Sequence, residues 1–117
     1  MPGFFMPWRK NVYKLVVLCL GVCLSSVSFA ADMANGKALS VQCSTCHGKD
    51  GLSKDPEAPN LAGLSSLYIE KSLVDYKKGA RQDRRMSLIA QGLSKPQIKD
   101  LAAWYSAFEV TVKVPEI

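Results

Sequence analysis

The pentapeptide Cys43-Ser44-Thr45-Cys46-His47 constrains this 117-residue chain more than any other feature. It sets two thiols three positions apart, which on a helical turn puts both on one face, and follows them at once with an imidazole. His47 is the only histidine in the sequence, and Cys43 and Cys46 are the only cysteines beyond the first 30 residues. C-x-x-C-H is the attachment sequence for c-type haem: the sulfurs reach the two vinyl groups along one side of a porphyrin as thioethers, and the next residue meets the iron. Other uses of a close Cys pair fit less well. A structural zinc site needs four ligands and would lack one here. A thiol–disulfide exchange site belongs at a helix start beside a βαβ pattern, and no strand pattern is visible. A plain structural disulfide is the remaining alternative.

The N-terminal region reads as a secretory signal. Arg9, Lys10 and Lys14 precede the apolar run Leu15 to Leu24, and small residues follow at Ser25, Ser26, Ser28, Ala30 and Ala31. Ser28 and Ala30 fit the −3 and −1 positions of a cleavage site, which divides the chain into a signal over 1–30 and a single domain over 31–117. The alternative, an uncleaved membrane anchor, would want roughly 20 apolar residues, whereas the uninterrupted run here is ten. Cys19 and Cys23 leave with the signal and are read as apolar filler, since neither follows the small residue that lipidation would want. Export lowers the formal charge from +5 to +2, because three of fifteen basic residues and none of ten acidic ones depart. A chain so mildly basic, with no dense basic stripe, excludes a nucleic-acid partner.

The remaining pattern is all helical. Asp32 is the expected N-cap of a first helix that carries Ala34, Ala38, Leu39 and Val41 and delivers the chain to Cys43. Gly48, Gly51, Pro56, Pro59 and Gly63 break the next stretch into a loop. A second helix starts at Ser65 or Ser66, carries Ile69, Leu73 and Tyr76, and stops at Gly79 behind Lys77 and Lys78. A short turn is expected over Ser87 to Gln91. Ser94 and Gln97 form a capping box for the last helix, with Pro96 in its first turn and Ile98, Leu101, Ala102, Tyr105 and Phe108 as its apolar stripe. The tail from Val110 to Ile117 has no assignment. Three modest helices make a small core, and the stretches Gly48 to Gly63 and Gly79 to Ser94 are long for loops unless they wrap a ligand.

An iron held by His47 has a sixth position. Beyond the signal only Met33 and Met86 offer another sulfur. Met33 lies on the attachment helix and cannot readily reach the opposite ring face, whereas Met86 follows His47 by 39 residues in an irregular stretch that can cross it. A His/Met pair raises the reduction potential and closes both axial positions, so such an iron passes electrons and does little chemistry on substrates.

These residues resemble a known family. Cys43 to Gly51, Pro59-Asn60-Leu61-Ala62-Gly63, Tyr68, Lys78-Gly79-Ala80-Arg81, Met86, and Leu93-Ser94 followed by Leu101-Ala102-Ala103-Trp104-Tyr105 look like a class I cytochrome c. The likeness is to one half of the tandem two-haem periplasmic cytochromes and to their small single-haem relatives. It implies an all-α fold of three main helices plus loops wrapped around one covalently bound haem c. It further implies that Pro59 accepts a hydrogen bond from His47 through its carbonyl and that Gly36 lets the first helix cross the last against Trp104 or Tyr105. It points to Arg81 as a haem-propionate partner, with Arg84 and Arg85 as competitors. The single C-x-x-C-H departs from the tandem members and excludes haem-to-haem exchange within this chain.

The expected function is a periplasmic one-electron carrier, not an enzyme and without a small-molecule substrate, docking weakly between a donor dehydrogenase or quinol-oxidising complex and an acceptor oxidase or reductase. Lys37, Lys49, Lys54, Lys71, Lys77 and Lys78 are candidates for steering if they cluster around the haem edge. Two rivals stand beside it: a haem-bearing subunit of a larger redox complex, tethered by the tail or by an uncleaved N-terminus that contacts the membrane, and an open-iron haem enzyme or sensor.

Overall fold

Local caps decide where the helices begin in this computed structural model, which describes residues 30–117. The signal segment expected before Ala30 lies outside the described residues. Helix α1 spans Met33–Ser40, and the Asp32 carboxylate accepts the backbone N–H groups of Ala34 and Asn35. After a turn over 41–43, α2 spans Ser44–His47 and closes with the His47 N–H on the Cys43 carbonyl at 2.9 Å. Helix α3 covers Ser66–Lys78, capped by Ser65 and ended by Gly79, whose φ of 76° is a left-handed conformation that glycine adopts without strain. Helix α4 covers Met86–Gln91 and α5 covers Lys95–Ser106, the latter with its full Ser94–Gln97 capping box.

The short turn expected at Ser87 begins one residue earlier. Asp83 accepts the N–H groups of Arg85 and Met86 at 2.8 and 2.7 Å, and this anchors the start of α4 at Met86. No strand occurs among the described residues. None of the described helices is long and apolar enough to cross a membrane.

Helix α1 packs on α5, and α3 packs on both α5 and α4. The buried core is drawn from Ile69 and Leu73 of α3, Ala90 of α4, Leu93, and Ile98, Leu101, Ala102 and Tyr105 of α5. The inner face of α1 is formed by small residues: Gly36 and Ser40 are buried and Leu39 is half-buried, whereas Ala34, Ala38 and Val41 are exposed. The cause is the closeness of the crossing with α5. A Cβ on Gly36 would lie 2.1 Å from the Asp100 carbonyl oxygen and 3.0 Å from the Cβ of Trp104, so Trp104 rather than Tyr105 meets the glycine.

The same crossing is tied by a buried carboxylate that sequence reading did not single out. Asp100 accepts the Asp32 N–H and an Asn35 side-chain N–H, each at 2.7 Å, which provides partners for a charge otherwise costly to bury. Trp104 meets Phe108 edge-on with ring centroids 5.1 Å apart and carries the Lys37 ammonium over its face at 5.7 Å. Residues 110–117 have no regular structure and are exposed.

Because the atoms nearest Gly36 are backbone, Gly36→Ala must push α1 away from α5. We expect a loss of about 1–3 kcal/mol, the usual cost of overpacking, read as a fall in Tm and denaturant midpoint. A change in stability within a few tenths of a kcal/mol would show that the crossing is not close.

Candidate haem-binding site

The short α2 turn places three groups at one place. His47 is buried at 5% exposure, and its Nδ1 lies 2.8 Å from the carbonyl oxygen of Pro59. A carbonyl only accepts, so Nδ1 carries a proton, and Nε2 is the nitrogen left to face a metal. The contact also holds the ring's orientation. Cys43 and Cys46 are half-buried free thiols on the same turn. Burial pushes the Cys43 thiol above its ordinary range, with a Tyr105 hydrogen bond acting in the opposite direction. Burial likewise raises the Tyr105 phenol.

All of these groups line one cleft of about 580 Å³, within the span of roughly 300–1,000 Å³ usual for ligand sites. Its apolar walls come from Ile69 and Leu73 of α3, Leu93, and Leu101 and Tyr105 of α5. Met86, at the start of α4, lines it as well, and so do Pro59 and Arg81. Cys43, Cys46, His47, Pro59, Arg81 and Met86 thus line one space. Met33 does not line the cleft and is 46% exposed. The residues present fit a covalently held haem: an apolar slot for the macrocycle, two free thiols, an imidazole with its second nitrogen available, and a thioether.

The three arginines separate by their contacts. Arg81 lies over the Tyr76 ring at 4.7 Å, with Nη1 3.5 Å from the Ser72 hydroxyl. It forms no ion pair among the described residues. Arg84 lines a separate, open depression beside Gln82 and Ser87. Arg85 pairs with Asp55 at 2.8 Å and Glu57 at 3.2 Å. No local pattern announces that last network, because its partners are about 30 positions apart in sequence.

None of the six candidate steering lysines lines the cleft itself. Lys37 lies over Trp104, Lys71 pairs with Asp75, and the Lys77 ammonium donates to the carbonyls of Gln91 and Leu93 at 2.9 and 2.6 Å. The cleft's positive groups are Arg81 and Arg85, set near Glu57 and Asp83.

The Glu57 N–H and then the Arg85 guanidinium hold the Asp55 carboxyl below the usual carboxylate range. Its contribution to stability is therefore present above the unfolded aspartate pKa of about 3.9 and is lost as pH falls through the lower folded value. Asp55→Asn should lower stability near neutrality and reduce the acid dependence below about pH 4, as checked by denaturant titrations across pH. An unchanged acid limb would contradict this.

The family model for cytochrome c matches residues 33–107. The chain is 42% identical over 83 residues to cytochrome c-554(548) from Halomonas halodenitrificans, covering 68% of this chain and all of that one. It is 36% identical over 99 residues to cytochrome c4 from Pseudomonas aeruginosa, covering 84% of this chain and 49% of that one. The crystal structure of reduced recombinant cytochrome c4 from Pseudomonas stutzeri superposes with a TM-score of 0.65 at 33% identity, over 71% of this chain and 48% of that one. The chain thus spans about half the length of the cytochromes c4 it matches.

Proposed function

The chain belongs to the cytochrome c family and is an electron-transfer protein rather than an enzyme, and from that premise we propose that it is a periplasmic one-electron carrier with a single haem c. Cys43 and Cys46 would hold it as thioethers, and His47 and Met86 would be the ligands to its iron. The observation that carries this reading is the convergence of both thiols, the buried imidazole and the Met86 thioether on one apolar cleft. A single C-x-x-C-H sequence supports one haem. Export rests on the basic, apolar and small-residue order of the first 30 residues.

When bound, haem c supplies a one-electron iron couple between the ferric and ferrous states. The chain's own residues set its conditions. His47, oriented by Pro59, would hold the iron through Nε2, and Met86 would supply a thioether, a ligand that favours reduced iron. Ile69, Leu73, Leu93 and Leu101 exclude water from the slot. Arg81, which has no carboxylate partner among the described residues and lines the cleft beside Tyr76, would be the propionate partner. Arg85, engaged by Asp55 and Glu57, would not. The partners are redox proteins, a donor dehydrogenase or quinol-oxidising complex and an acceptor reductase or oxidase, met through small, short-lived contacts.

Met86→Ala in the holoprotein tests this reading. The expected result is conversion from a low-spin iron to one that binds external ligands, with a lower reduction potential, while Met33→Ala keeps the parent spectrum. An unchanged visible spectrum in Met86→Ala would remove that residue from the axial role and reopen the reading as a closed-iron carrier.

A further inference from the structure

Arg85 precedes Met86 directly, lines the cleft, and pairs through its guanidinium with a different part of the chain. Nη1 lies 2.8 Å from the Asp55 Oδ2, Nη2 lies 3.2 Å from the Glu57 Oε2, and Nη1 is also 3.9 Å from the Cys46 sulfur. Asp55 is itself anchored to the attachment turn. Its backbone N–H donates to the Ser53 hydroxyl at 3.0 Å, and that hydroxyl lies 2.7 Å from the Cys46 carbonyl. The loop that carries Asp55 and Glu57 continues to Pro59, which orients His47. On the other side, Asp83 holds the N–H groups of Arg85 and Met86. One guanidinium thus joins the segment that orients the proximal imidazole to the segment that presents the distal thioether.

Its position beside Cys46 excludes the other use of an arginine here. The vinyl-derived side of a porphyrin, which the cysteines take, lies opposite its propionates, so a guanidinium next to that sulfur is not placed for them. We propose that Arg85, through Asp55 and secondarily Glu57, is a positioning residue: a clamp across the thioether edge that keeps Met86 seated in the axial site and sets how readily that ligand yields to a competitor. The proposal rests on the assignment of Met86 as axial ligand.

Among the described residues, the Arg85 pairs are the only ion pairs that join the segment before α4 to another part of the chain. The exposed Glu57 is the weaker arm, at 73% side-chain exposure against 27% for Asp55, and an ion pair open to water contributes less. A ligand held by a segment with two states exchanges in proportion to the fraction of time the segment is open. Loosening the clamp therefore raises the apparent affinity for an external ligand without touching the iron or its ligands.

The test is imidazole binding to the oxidised holoprotein, followed together with the weak far-red band that marks sulfur ligation of ferric haem. Arg85→Gln and Asp55→Asn should each raise the apparent imidazole affinity about ten-fold, the scale of a charge-assisted hydrogen bond, and Glu57→Gln should raise it less. Both stronger variants should keep the far-red band when imidazole is absent. The charge exchange Arg85→Asp with Asp55→Arg should return the affinity toward the parent value, which a general loss of packing would not do. Met86→Ala gives the upper limit. If it raises imidazole affinity while Arg85→Gln stays within two-fold of the parent, the clamp is overturned alone. If Met86→Ala itself changes nothing, the axial assignment fails and the clamp fails with it.

Discussion

A small set of helices surrounds a slot that they do not fill, and the chemistry of one turn determines what can close it. The apolar faces of α3 and α5 meet one another only in part. Ile69, Leu73, Leu93, Leu101 and Tyr105 belong to the buried core and at the same time line the cleft. A domain of this size has little surplus stability, and a cavity with apolar walls forfeits the contacts that would otherwise hold it. A haem bonded through Cys43 and Cys46 would supply those contacts and link the attachment turn to the core. On the proposed function, structure and function would then depend on the same pair of sulfurs.

The supporting geometry serves that turn. Helix α1 ends directly before it, and its axis is set against α5 by Gly36 and by the Asp100 carboxylate with its two donors. On the other side, the loop after His47 returns to give the Pro59 carbonyl to the ring and the Asp55 carboxylate to Arg85. The attachment turn is thus held from α5 on one side and from its own downstream loop on the other. An electron carrier benefits from such rigidity, because a fixed environment changes little when the iron changes its charge.

Legibility in the sequence followed the range of the interaction. Asp32, Ser65, Gly79 and the Ser94–Gln97 box act within a few residues of themselves, and each appears where its pattern indicated. The C-x-x-C-H turn is equally local, and the residues assigned to the site, from Cys43 to Met86, line a single cleft. Periodicity does not locate the inner face of α1, because that face turns inward through Gly36 and Ser40 rather than through large apolar side chains; Gly36 is legible only through the family resemblance. The Asp100 contacts and the Arg85 network escaped because their partners lie 68 and 30 positions away and no pattern in composition links them. Lys77 reads from sequence as a solvated end-of-helix charge, and only the folded chain reveals the two carbonyls, one on the last residue of α4 and one just beyond it, that occupy it.

The most direct measurement of the central claim is the intact mass of the purified protein, made in cells with a working cytochrome maturation system and denatured before analysis. The account predicts the polypeptide plus one haem, retained after denaturation and lost in a Cys43→Ser, Cys46→Ser double variant. A mass equal to the polypeptide alone, or haem that washes away on denaturation, would contradict it.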